Sequence, residues 1–466
     1  MIIDEWRLRG KILSITTDGA SNMKGCIELF KLRQDSQERR VSWIHCAAHA
    51  IQLCINTALG KKKEEKPDSP MAIFKKCEHI VQFFGSCGAA KKALELEQKV
   101  RGKKIYKLVR SNETRWNSRI VMGARVFKLA SEIKDAINVV CGSPVKVDEA
   151  KAKAARNRLL DFQELSELKD ICDLLEPAAA LTHSLGGSTY STVSSVYPKV
   201  HGYALAPPLK KNATKPARDL HEKLTKQVET RFVVTKIPEA ILVAMFLNPG
   251  CFSFSFFDGD SQFLTEAKNL ALSALLELAM EIEARTPSVP AATPTKKKSW
   301  RDVHNNKSNN TPQSKARLEF SDYFNTITSD IHTYASALDN PQDYWRDMAD
   351  TYPMMAQLAR CYLAVQATSS ESERLFSKAG LLLPPKKANL TYQNFFNMLM
   401  HSSYEKLIES YQKEEPAKEE AQPSPTNEHT MLPLTDENTQ SPTTINSPIT
   451  INSPTTINSP SAGIPE

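Results

Sequence analysis

The sequence predicts an α/β protein whose strands are confined to its N-terminal part and whose remainder is helical. Three observations carry that expectation. Lys11 to Thr17 (KILSITT) is a short run of β-branched and apolar residues closed by Asp18-Gly19, the pattern of a buried strand, and Ala20 to Leu32 after it reads as a helix. Val41 to Leu59 (VSWIHCAAHAIQLCINTAL) is a second short strand running into an apolar helix. From Ala150 to about Asn340 strand alternation stops. Leu165 to Leu185, Val193 to Leu205, Ala217 to Phe232 and Phe263 to Ala284 all carry the spacing of amphipathic helices.

The chain has 466 residues, room for two or three domains. Lys and Arg exceed Asp and Glu by seven and the pI is near 8.8, a mildly basic balance compatible with nucleic acid. Nine cysteines without regular spacing argue for a reduced, intracellular compartment rather than a disulfide framework. Met1-Ile2-Ile3 is followed at once by Asp4 and Glu5, so no signal peptide is expected. No apolar run reaches the ~18 residues of a membrane helix, and no membrane partner is expected.

Taken in order, Asp18 stands at the carboxyl end of the first strand. That is where open α/β sheets place their chemistry, although aspartate also caps helices there. Cys46 and His49 form a C-x-x-H pair beside His45. No second pair stands at finger spacing, so a buried thiol and a core histidine outweigh a zinc site. Pro70 to Val100 is a helical stretch. In the run Ser111 to Ser118, Trp116 reads as a core or lid aromatic and Arg115 as a side chain able to clamp phosphate. Pro287 to Gln313, with Lys296-Lys297-Lys298, reads as a disordered loop. From Lys413 the chain turns to Ser, Pro, Thr and Asn. Three near-copies of a hexapeptide (SPTTIN, SPITIN, SPTTIN) span Ser441 to Asn458, and a proline in each copy excludes a β-solenoid, so residues 413–466 read as a disordered tail.

The most densely patterned stretch runs from Tyr352 to Tyr404. Met355, Leu358, Tyr362 and Val365 lie on one side of a helix. Ser369-Ser370-Glu371-Ser372-Glu373-Arg374 then opens a second helix, whose apolar face starts at Leu375 and Phe376. A third follows from Tyr392 to Leu407. Residues 342–412 carry more apolar surface than so short a segment can hide, so part is expected to pack on the Lys11 strand and part to face a second copy. Trp345, Leu358, Phe395, Phe396 and Leu399 are the dimerisation candidates.

The pattern YPxxxxLARxYLxVxATSxxSERxFSxAG, beginning at Tyr352, resembles the C-terminal dimerisation region of hAT-superfamily transposases and their domesticated, BED-type zinc-finger relatives. Four further strings fit. TTDGASNM resembles the T-D-x-x-x-N element bearing the second catalytic aspartate. The C-x-x-H pair and the T-R-W-N-S string match family motifs. Tyr190, Thr192, Ser194 and Pro198 resemble a Y-x-T-x-S-x-x-x-P helix start of BED-type relatives. The resemblance implies a partial RNase H-like core (1–150), a large all-helical insertion (151–340) and a dimerisation region (341–412) completing the core. It makes Asp18 and Glu373 the second and last carboxylates of a DDE triad. Those acids would hold Mg2+ if the chain were catalytically competent. Cys46 and His49 would stand near the site, with Arg115 and Trp116 on DNA.

The resemblance starts shortly before the fourth strand of that core, with no partner for the first catalytic aspartate and no BED finger. Asp4 belongs at the wrong end of the Lys11 strand to replace it. The expectation is therefore a nuclear, homodimeric, DNA-associated protein derived from a transposase, a DDE remnant without cleavage activity and without a small-molecule substrate. The alternative is a fragment of an active cut-and-paste transposase whose N-terminal parts lie upstream.

Overall fold

Hydrogen-bonded strand pairing occupies the second half of the β-branched run. In the computed structural model, β1 (Ser14–Thr17) pairs in parallel with β2 (Ser42–His45), with Thr17 opposite His45. Parallel neighbours need a crossover, and α2 (Ser21–Leu32) supplies it. Residues 2–33, 41–60, 69–112, 116–205, 209–233, 236–252, 261–285, 311–329, 339–383, 390–391 and 393–401 are described. Among them the sheet has these two strands alone, so the α/β expectation is realised as one β-α-β unit in a mostly helical chain. The loop expected within 287–313, the tail from 413, Arg115 and Tyr404 lie outside the described residues, apart from 311–313.

After a four-residue α1 (Ile2–Glu5) and the β-α-β unit, the helices follow closely. They are α3 (Ala47–Leu59), α4 (Pro70–Ser86), α5 (Gly88–Val100), α6 (Trp116–Lys128), α7 (Ala130–Cys141), α8 (Lys146–Arg156) and α9 (Phe162–Leu185). The single helical stretch expected over Pro70 to Val100 is broken at Cys87, which leaves the helical conformation. Its Sγ accepts from Ala90 N at 3.4 Å, capping the second segment. Helix α9 starts on a capping box: Asp161 accepts from Glu164 N at 2.8 Å, and Glu164 returns the bond to Asp161 N at 3.1 Å.

A 3-10 turn (Val193–Ser195) leads into α10 (Val196–Leu205), then α11 (Lys215–Val228), α12 (Glu239–Phe246), α13 (Ser261–Arg285) and α14 (Pro312–Ser329). The last elements are α15 (Pro341–Asp347), α16 (Pro353–Leu363), α17 (Ser370–Leu382) and α18 (393–401). Helix α12 is apolar on every side and buried from Ala240 to Phe246, as an all-round hydrophobic helix must be. Phe246 at its end stacks on Phe320, with ring centroids 5.4 Å apart. The Tyr323 hydroxyl donates to Phe246 O at 3.1 Å, and Trp345 Nε1 donates to Leu247 O at 2.6 Å. Glu319 accepts from Met355 N at 2.7 Å, giving the first turn of α16 a partner it would otherwise lack. Helices α14 and α15 are thus tied to the end of α12 by aromatic packing and by bonds to the carbonyls of Phe246 and Leu247, and α16 is tied to α14 through Glu319. No helix among the described residues is long and apolar enough to cross a membrane.

Candidate functional site

The segment between α16 and α17 is a strap across the end of the sheet. Thr16 Oγ1 donates to Gln366 O at 2.8 Å, and Ala47 N donates to Ala367 O at 2.9 Å. Ala367 N donates to Thr192 Oγ1 at 2.9 Å, while Thr192 Oγ1 donates to Gln366 Oε1 at 3.2 Å. Ser369 N donates to Cys46 Sγ at 3.4 Å. Cys46 N in turn donates to Thr17 O at 2.7 Å, one residue before Asp18. Three sequence-distant pieces therefore meet: the strand end carrying Asp18, the C-x-x-H turn, and the start of the helix carrying Glu373.

The Y-x-T-x-S string supplies the fourth. Tyr190 bonds Ser184 O at 2.7 Å, Thr192 holds the strap, and Ser194 accepts from Asn248 Nδ2 at 2.9 Å. Each of these three polar side chains satisfies a buried or half-buried partner, the condition such groups must meet.

The individual candidates fall as follows. Asp18 is half-buried, and its Oδ1 accepts from Ala20 N at 3.3 Å, a local turn contact of the kind aspartate makes two residues on. Glu373 is exposed in the first turn of α17, its N–H bonded to Ser369 O. Cys46 is buried and is occupied by the strap. His49 is half-buried in the first turn of α3, and its imidazole makes no hydrogen bond among the described residues. Neighbouring His45 packs its ring 4.2 Å from Trp43, and burial pushes its pKa down. Among the described residues no three His, Cys, Asp or Glu side chains gather as a metal site.

Two expectations need correcting. Trp116, which the resemblance sets on DNA, is only 4 % exposed and belongs to the core, as the residues alone allowed. Its indole packs inside the helix layer and presents no face for a base. Trp345 and Leu358, named as dimer contacts, are committed to their own chain. Trp345 is bonded to Leu247 and packed on Tyr323 at 5.0 Å, and Leu358 is 1 % exposed on α16.

The apolar surface left over lies further on. No residue of α17 is buried. Leu375, Phe376, Ala379, Leu382 and Leu383 fall on one side of it or just past its end, and Phe376 is 74 % exposed. Phe395, Phe396 and Leu399 on α18 are half-exposed, and Met398 is exposed.

Residues 321–402 match the hAT family C-terminal dimerisation region.

The match begins inside α14 and takes in α15 to α18, and it supports membership of the hAT family. No curated protein matches the chain. The hAT region thus contains both helices that plug into the body of the protein and, in α17 and α18, helices with no buried residue among those described. Sequence reasoning missed this division. A helical apolar stripe reports that a face is covered, and does not report by which chain. It also missed Thr16 and the internal use of Cys46, which only the fold brings together with the strap.

Proposed function

We propose that this chain is a hAT transposase-derived protein that works as a homodimer on DNA in the nucleus, and that its N-terminal β-α-β unit is part of an RNase H-like core. The observation that carries the dimer is α17. A thirteen-residue helix with no buried side chain and an exposed apolar face stands inside a segment matched as a dimerisation region. Contiguous exposed apolar surface of this kind marks an interaction site, and two-fold pairing of a surface with itself is the commonest way to cover it. The basic balance of the chain favours a polyanionic partner. Light scattering on the full chain tests the dimer. Twice the 52.1 kDa chain mass is expected, and a single-chain mass at micromolar concentration overturns it.

One observation favours a second function, that of a fragment of an active transposase. The strap bonds Ser369, four residues before Glu373, to Cys46, whose own N–H bonds Thr17, the residue before Asp18; this supports a reading in which the two triad candidates act together. Nicking of supercoiled plasmid with Mg2+ or Mn2+, abolished by Glu373→Gln, would establish that function. The proposal made here expects none.

A further inference from the structure

Positive charge is not spread evenly along the chain. Residues 91–128 hold twelve lysines and arginines against three acids, an excess of nine where the whole chain has an excess of seven. Outside this segment the acids are in slight excess. The fold gathers much of that charge around one side chain, Tyr106. The stretch 103–110 is held to α5 at Tyr106, where buried Gln98 grips its backbone. Gln98 Oε1 accepts from Tyr106 N at 2.8 Å, and its Nε2 donates to Tyr106 O at 3.2 Å, a side-chain amide pairing with backbone as a strand would. Between α4, α5 and this stretch opens a cavity of about 290 Å³, floored by Phe84 and Leu94 and rimmed by Lys91, Glu95, Lys107 and Arg110.

From α6, Arg125 lies 4.9 Å and Lys128 3.9 Å from the Tyr106 ring centre, and Arg125 Nη1 donates to Lys107 O at 2.7 Å. The proximity of Lys128 is what pulls the Tyr106 hydroxyl pKa down. Arg110 lies against the backbone of α4 at Gly85, where any larger residue would displace its guanidinium.

The ion pairing divides these cations into two groups. Arg101 and Lys103 are consumed by buried Glu132, at 3.2 and 2.6 Å, and Arg101 also by Asp135. Lys91, Lys107, Arg110, Arg125 and Lys128 have no acid partner among the described residues. Glu95 is the one acid on the rim. Five cations without an acid partner among the described residues thus come from three separate elements: Lys91 from α5, Lys107 and Arg110 from the stretch that Gln98 grips, and Arg125 and Lys128 from α6.

We infer that this surface binds the phosphate backbone of double-stranded nucleic acid. The inference rests on the DNA-associated function proposed above and gives it a location away from the strap. Planar arginine forks suit phosphate oxygens. The Tyr106 ring already carries Lys128 and Arg125, so it is not open for a base to stack on. Contacts are therefore to phosphates and independent of sequence, and each one contributes about 0.9 to the slope of log affinity against log salt.

The test is fluorescence anisotropy of a labelled mixed-sequence DNA duplex with the full chain, titrated at several salt concentrations. The triple variant Lys91→Glu, Lys107→Glu, Arg110→Glu is expected to bind roughly tenfold or more weakly at low salt, with a slope shallower by about two to three. A control with the same charge change, Lys211→Glu, Lys223→Glu, Lys226→Glu near and on α11, is expected to keep most of the affinity. Gly85→Ala, which displaces Arg110 without changing charge, should fall between wild type and triple variant. Circular dichroism melts accompany each protein, and a triple variant that melts well below wild type is replaced by the single Lys107→Glu, with a slope change near one expected. Three outcomes overturn the site: equal loss in triple and control variants, an unchanged slope in the triple variant, or polyglutamate of equal charge competing as well as unlabelled duplex. Absence of duplex binding by the wild type overturns both the site and the DNA-associated function, whereas binding that survives the triple variant overturns the site alone.

Discussion

Helices α16 and α17 are neighbours in the chain, lie in the same hAT region and both have an amphipathic pattern, yet their fates are opposite. Helix α16 buries Met355, Ala356, Leu358, Ala359, Tyr362 and Leu363 against its own chain. Helix α17 buries nothing. Between them lies the strap, whose bonds to Thr16, Ala47, Thr192 and Cys46 fix where the internal half ends and the external half begins. A dimerisation region of this kind needs an anchor as well as an interface. A helix can offer an apolar face to a partner in fixed orientation only if the preceding segment is locked to the body.

The comparison predicts separable effects. The largest should come from the anchor. Leu358→Ala leaves a cavity in a well-packed interior and is expected to cost about 2–5 kcal/mol of folding stability. Thermal melts should show the loss, while the protein that remains folded keeps its association state. A dimer that weakens while the melt stays put would place Leu358 at the interface after all.

Next in size is the interface itself. Phe376→Asp puts a charge on the exposed face and is expected to weaken association by about 2 kcal/mol or more, some thirtyfold, as aromatic hot spots do. Its melt measured at low concentration should match wild type, since Phe376 touches little within its own chain.

The strap comes third. Thr192→Val keeps the shape of the side chain but removes both bonds to residues 366–367, leaving buried polar groups unpaired at a cost of about 1–3 kcal/mol. Hydrogen exchange should report faster opening at Ala367 to Ser370 than across α12. Uniform exchange over the whole chain would mean that the strap is not an independent joint.

The smallest effect is one of pH. Glu132 is 1 % exposed. Its burial acts to raise the pKa, but hydrogen bonds from Lys103 and Arg101 overcome that and hold it below the ordinary 4.5. A carboxylate with a lowered pKa in the folded state stabilises above that ordinary value, and the contribution is lost as pH falls through the folded value. Denaturation of Glu132→Gln should therefore depend less steeply on pH below 4.5 than wild type. Parallel curves would remove Glu132 from the account of the α5–α7 junction.

Much of the framework was legible in the residues. The β-branched run before Asp18, the strand at Val41 and the helix pattern after Ala150 follow local propensity and period, which sequence carries directly. The family strings contain the strap and one residue that holds it: the Ala367-Thr368-Ser369 step and Thr192 belong to motifs visible before any fold. What sequence did not carry was partnership. Trp345 and Phe376 are both large, apolar and helical; one finds Leu247 and Tyr323, the other finds solvent, and only packing tells them apart. Trp116 met the same fate in reverse. Cys46 was legible as a buried thiol rather than half of a metal pair, but its service as acceptor for Ser369 was not. The cluster at Tyr106 could have been found by counting charge over short windows rather than over the whole chain, but its separation into paired and unpaired cations depends on Glu132, twenty-six residues further on.

The central claim is that α16 anchors and α17 pairs. Sedimentation equilibrium of wild type and Phe376→Asp side by side, each with its own melt, tests it most directly. The account predicts a dimer for wild type and a monomer with the same melting temperature for Phe376→Asp. A wild type that sediments as a single chain at micromolar concentration, or a Phe376→Asp protein that stays dimeric with full affinity, would contradict it.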